Sequence, residues 1–295
     1  MDTAQVYVQQ LSETDLRLLA PAAGLDPNAD DTPSRFHRDP SLIEPALVAD
    51  EVYEAVFDPQ DVADELLVHA SPFLVFAVAV HRGTIDLHRT TFTNERIGRR
   101  QSVPVFGTDG LRAFTVEPAH RLFLVEHLTS YTKVRSGPIF VQRGNRMRRH
   151  RFSEIDAPKL AGLLDMVPEE DRPGIYRRLG DLALFLTGVF PDNTTREPPH
   201  PIEIERLLRS VGELPDVARL TDTDIGQLVG TRGRAGLLEW LGPRWYRLAA
   251  SSTPLPSMAS LLAEVADGFD EARRFLTLIT DRYLFGPSRW FGPTV

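Results

Sequence analysis

The chain has 295 residues, 42% of them hydrophobic and 25% charged, with no cysteine and a formal charge of −8 at pH 7. That composition can bury one large core or two ordinary ones, which excludes a chain disordered throughout. The missing thiols exclude disulfides, cysteine nucleophiles, iron–sulfur clusters and Cys-based zinc sites.

The charge is segregated along the chain. Residues 1–80 hold 15 acids and 3 bases, residues 81–151 hold 5 and 14, and residues 152–295 hold 21 and 16. A basic middle of this kind has two uses. It pairs with the acidic N-terminal block, inside one fold or across two subunits, or it faces a polyanion such as nucleic acid. All but Lys133 and Lys159 of the basic residues are arginine. That skew fits GC-rich codon usage and says little about chemistry.

The N-terminal Met1-Asp2-Thr3-Ala4 opens neither a basic segment nor a long apolar one, so no signal peptide is expected. The longest apolar run, Phe73 to Val80, has eight residues. A membrane helix needs ~20, so a buried core segment and a cytoplasmic chain with no membrane partner are expected.

The first predicted helix runs from about Glu13 to Ala20, behind a capping box at Ser12 and Asp15, and stops at Pro21. Residues 21–40, rich in Pro, Gly, Asp and Asn, read as a loop. Asp39-Pro40 opens a helix with apolar positions Leu42, Ile43, Leu47, Val48, Val52 and Val56. A further helix is expected from Asp58-Pro59 to about Ala70. Ser71-Pro72 caps the next, which carries the apolar run and is central to the fold.

Residues 83–117 change texture. Val103 to Phe106 and Leu111 to Val116 read as a hairpin around Gly107-Thr108-Asp109-Gly110, with Pro104 on an edge strand. Pro118 starts a helix through Leu122, Phe123, Val125, Leu128 and Val134. Pro138 to Gln142 and Met147 to Phe152 then read as strands around a turn at Arg143 to Arg146. The remainder is helical: a helix ending near Met166, one from Gly174 to Phe190, others over about 202–212, 221–229 and 235–250, and a last helix. In that last helix Met258, Leu261, Leu262, Val265, Phe269, Ala272, Phe275, Leu276, Ile279 and Tyr283 form one apolar stripe.

The expected fold is therefore mostly α, a helical bundle with a small β-hairpin-containing, winged-helix-like insert in the middle. Residues 1–152 form an N-terminal helical region whose basic β-containing segment spans 82–152. Residues 153–295 form a C-terminal helical domain, or the two are one continuous domain.

Motifs for catalysis are missing. No phosphate-binding glycine loop, GxSxG or HExxH is present. Gly226, Gly230, Gly233 and Gly236 lack the Lys-Ser/Thr of a phosphate loop and read as a helix break with a close helix contact. Glu117-Pro118-Ala119-His120 mimics a di-iron Glu-x-x-His. Pro118, however, places it at a helix start, and no second copy exists. His120 and His127 share one helix face and read as surface or core histidines. No cofactor and no metal is expected. The candidate polyanion contacts are Arg99, Arg100, Arg143, Arg146, Arg148, Arg149 and Arg151, since guanidinium groups pair well with phosphates. The helix before them is poor in base-reading side chains. Arg177 and Asp181 lie one helical turn apart and form a candidate buried polar site, because an acid inside an apolar helix needs a partner.

The stretch Arg177-Arg178-Leu179-Gly180-Asp181-Leu182-Ala183-Leu184-Phe185-Leu186-Thr187-Gly188-Val189-Phe190-Pro191-Asp192 resembles an uncharacterised helical family of bacterial proteins. Arg273-Arg274-Phe275-Leu276-Thr277 and Asp281-Arg282-Tyr283-Leu284 resemble its actinobacterial members. The resemblance covers roughly residues 118–285 and implies no activity. The function expected from the residues is non-enzymatic binding or regulation through a protein partner, self-association or nucleic acid. The alternatives are a cofactor-independent enzyme or small-ligand binder with a pocket near Asp181, and an oligomeric scaffold.

Overall fold

Local signals build most of the helices. In the computed structural model the described residues are 2–57, 70–98, 101–143, 146–194, 199–212, 214–230 and 232–285, with the backbone alone for 96–98, 138–143, 146–151 and 193–194. The expected helix over 58–70 falls almost wholly outside them. The chain opens with α1 (Thr3–Gln10), α2 (Glu13–Leu19) and α3 (Thr32–Arg38), then α4 (Ile43–Leu47), α5 (Asp50–Phe57) and α6 (Pro72–Leu87). Strands β1 (Phe92–Gly98) and β2 (Gln101–Phe106) form a two-stranded antiparallel sheet. Next come α7 (Asp109–Val116), α8 (Pro118–Ser130) and the hairpin β3 (Ser136–Arg143) and β4 (Arg146–Ser153). Helices α9 (Ala157–Ala161), α10 (Arg172–Gly188), α11 (Pro191–Thr194), α12 (Pro201–Arg209) and α13 (Asp222–Gly230) follow. The chain ends in α14 (Gly233–Ser252), α15 (Pro256–Asp267) and α16 (Phe269–Ile279), with a π-helical turn over Thr280–Leu284. The fold is mostly α with small antiparallel hairpins.

Two compact units divide the chain. The first comprises Met1–Thr93, Val105–Thr132 and Phe275–Val295, the second Asn94–Pro104 and Lys133–Arg274. In the first, α6 packs against α8, α4, α5 and α7. Its apolar run is buried from Phe73 to Val80 apart from Phe76, as expected of a central helix. Ser71 caps it by accepting from Leu74 N, with Pro72 in the first turn. The capping box at Ser12 and Asp15 is present. Asp15 also accepts from Ser71 N at 2.8 Å, so one carboxylate secures two helix starts. Phe275 and Ile279 of α16 lie against Gly83 of α6, where a β-carbon would sit 2.5 Å from Ile279 Cγ2.

In the second unit α10 and α14 form the main pair, flanked by α15 and α13. Close approach is allowed by Gly180, where a β-carbon would stand 2.8–2.9 Å from three ring atoms of Tyr246. The expected break near Gly233 and close contact at Gly236 are also found. Gly233 has φ +56°, and a β-carbon on Gly236 would lie 2.3 Å from Leu228 O. Only glycine meets both demands cheaply.

Several expectations need correction. Leu111–Val116 is not a strand but part of α7, because Leu111, Phe114 and Thr115 recur at helical spacing and are buried together. The strand that pairs with β2 is β1. Within residues 21–40, Thr32–Arg38 form α3, with Pro33 in the first turn and Phe36 buried. The helix expected from Pro40 to Val56 is a 3-10 turn over Pro40–Leu42 followed by α4 and α5, interrupted at Val48 and Ala49. The helix expected to end near Met166 stops at Ala161 and continues as turns. The last helix is broken at Gly268, which leaves helical geometry at φ −95° and ψ 26°. Its apolar stripe survives the break, with Leu262, Val265, Phe269, Ala272, Phe275, Leu276, Ile279 and Tyr283 all buried.

Candidate functional site

Strands β3 and β4 form the strand–turn–strand anticipated in the basic segment. Their register pairs Arg143 with Arg146, Val141 with Arg148, Ile139 with His150, Phe140 with Arg149, and Pro138 with Arg151. Residues 136–153 contain five arginines and no acid. Along β4, Arg146 and Arg148 occupy register positions of one parity and Arg149 and Arg151 those of the other. The turn residues Gly144 and Asn145, and the candidates Arg99 and Arg100, lie outside the described residues.

Other arginines of the basic middle are already engaged. Arg82 meets Asp50 at 2.5 Å, and Arg121 meets Glu44 at 3.1 Å. Arg121 also donates to the carbonyls of Thr115 and Val116. Arg112 donates to Leu87 O and Thr90 O and pairs with Asp109. Pairing of the acidic start with the basic middle is therefore realised at Arg82 and Arg121, inside the first unit.

The second candidate site is buried. Asp181 is 8% exposed and accepts from Tyr246 Oη at 2.8 Å. Arg177 Nε stands 4.0 Å from Asp181 Oδ2, at the outer limit of an ion pair. The acid's near partner is thus a tyrosine 65 positions away, which no local pattern signals. Gly180 supplies the room for that ring beside the Asp181 backbone.

Further buried polar groups also find partners at long range. In the first unit His81 Nε2 shares a hydrogen bond with Tyr7 Oη at 3.0 Å. Burial, aided by the positive charge of Arg121, pushes the His81 pKa down to about 3, so the ring is neutral at pH 7. Burial likewise raises the Tyr7 phenol well above its ordinary range. Tyr283 donates to Asp86, which also meets Arg282 at 3.1 Å. His120 donates through Nδ1–H to Phe114 O at 2.9 Å and stacks on the Phe114 ring, a core histidine. In the second unit Arg273, 3% exposed, meets Glu95 at 2.5 Å, Asp270 at 2.6 Å and Glu239 at 3.6 Å. Burial raises the Glu239 carboxyl, against the pull of Arg273 and Arg232.

Among the described residues no three His, Asp or Glu side chains gather as metal ligands, and no helix is long and apolar enough to cross a membrane. No family model, no curated protein and no solved structure matches the chain.

Proposed function

We propose that the chain is a non-enzymatic binding protein that regulates by holding a nucleic acid on the β3–β4 hairpin. One observation carries the reading: the antiparallel pair β3–β4, whose segment 136–153 holds five arginines and no acid, with Arg143 paired directly opposite Arg146. Like charges opposite one another on a ribbon are destabilising, and a polyanion between them removes that cost. A two-stranded ribbon also fits a duplex groove, where arginines meet phosphates.

Fluorescence anisotropy with labelled duplex DNA and with RNA, at about 50 and 200 mM salt, tests it. Four neutralised phosphates on a duplex predict an affinity loss of roughly a hundredfold over that range. The triple variant Arg143→Glu, Arg146→Glu, Arg148→Glu is expected to abolish binding, while Arg82→Gln leaves it intact. No binding at the lower salt, or unchanged binding by a folded triple variant, refutes the proposal.

A further inference from the structure

A polar cavity in the second unit is built where α9, the start of α10 and α12 converge. Its volume is about 160 Å³, and Arg172, Arg206, Arg209, Asp165, Tyr176 and Ser210 contribute its polar lining. Helical spacing explains the convergence. Arg172 and Tyr176 lie four apart on α10, and Arg206 and Arg209 three apart on α12, so each pair shares one helix face.

Two of the three arginines, Arg172 and Arg206, form no ion pair among the described residues. Arg172 Nε is buried with no hydrogen-bond partner. Arg209 meets Glu205 at 2.6 Å, but both side chains are well exposed, 65% and 69%. Such a pair is weakly held and exchanges readily. Ser210 is occupied structurally: its Oγ donates to Leu207 O and accepts from Trp245 Nε1.

Charge and size narrow the ligand. Three arginines against Asp165 of the lining and Glu205, which meets Arg209, leave one net positive charge at the site. A phosphate monoester or inorganic phosphate carries about −1.5 to −2 at pH 7. Arginine forks match its oxygens in bidentate fashion. Sites for drug-sized ligands run to about 300–1,000 Å³, so this cavity holds one phosphate group and not a whole nucleotide. We infer that the cavity between α9, α10 and α12 is a binding site for a single phosphate group, held by Arg172, Arg206 and Arg209. The inference is independent of the hairpin reading.

Isothermal titration of the full chain with inorganic phosphate, at low ionic strength and against a chloride control, tests the site. Arg206→Gln, at an exposed position, and Arg172→Gln are each expected to weaken binding about tenfold, the loss of one charged hydrogen bond. Asp165→Asn removes the repelling carboxylate and is expected to tighten binding about threefold. Circular dichroism establishes that each variant is folded. A parallel titration with glycerol 3-phosphate separates the sources: tighter binding than inorganic phosphate assigns a monoester ligand, weaker or equal binding assigns the free ion. Absence of phosphate binding by the wild type overturns the inference. So does phosphate binding that survives in Arg206→Gln and Arg172→Gln but disappears in the hairpin triple variant.

Discussion

Gly180→Ala tests the packing that joins α10 to α14. A β-carbon at this position lies 2.8–2.9 Å from three ring atoms of Tyr246, whose hydroxyl donates to the buried Asp181. Overpacking of a fitted core costs about 1–3 kcal/mol. If the ring withdraws, the charged hydrogen bond is lost as well, worth about 1.5–3 kcal/mol. Against this, Ala in place of Gly inside a helix gains at most about 1 kcal/mol. The net expectation is a loss of about 2–4 kcal/mol. Gly174→Ala is the matched control. It lies on the same helix, with nothing within 4 Å of an added β-carbon, and is expected to be neutral or slightly stabilising. Urea denaturation, followed by the fluorescence of Trp240 and Trp245 on α14 and by circular dichroism, measures both. Equal stability of the two variants would refute the argument, since it would mean that the α10–α14 contact has room to spare.

Two further predictions concern buried ionisable groups. His81 has a folded-state pKa of about 3, below its ordinary 6.5, so between those values the unfolded chain binds more protons. Stability therefore falls as pH drops through that window, by at most about 1.4 kcal/mol per pH unit from this group. His81→Leu should flatten that slope in acid denaturation, and an unchanged slope assigns it elsewhere. Arg273→Met removes the buried cation that Glu95, Glu239 and Asp270 share, leaving Arg232 as the cation on Glu95 and Glu239. It is expected to destabilise by about 3–5 kcal/mol at neutral pH. The deficit relative to wild type should narrow on mild acidification, because burial already holds the Glu239 carboxyl above its ordinary range and a proton can replace the lost charge. A deficit that is constant with pH, measured by thermal unfolding, contradicts this account.

The sequence by itself determined what depends on neighbours within a few residues. The Ser12–Asp15 capping box, the Ser71-Pro72 helix start, the buried run from Phe73 to Val80 and the β3–β4 ribbon are all legible in it. Caps, turns and apolar periodicity act over one or two turns of chain, so they survive translation into three dimensions. Leu111–Val116 was ambiguous at that range: its residues suit a strand after a Gly-rich turn, and only burial of Leu111, Phe114 and Thr115 on one face selects the helix. The apolar stripe likewise marks the buried face from Leu262 to Tyr283, though not at Met258 and Leu261, and does not show that Gly268 divides the helix. Partner choice was decided by tertiary structure alone. The pairing of Asp181 with Tyr246, of His81 with Tyr7 and of Asp86 with Tyr283 joins residues dozens to hundreds of positions apart. The same holds for the meeting of Arg172 with Arg206 and Arg209 around one cavity. No local pattern encodes such pairs, because each exists only after packing has removed water from both members and left each polar group to find the other. The charge of −8 follows the same division: the sequence locates a basic middle, and the fold ties two of its arginines, Arg82 and Arg121, to acids of the N-terminal block.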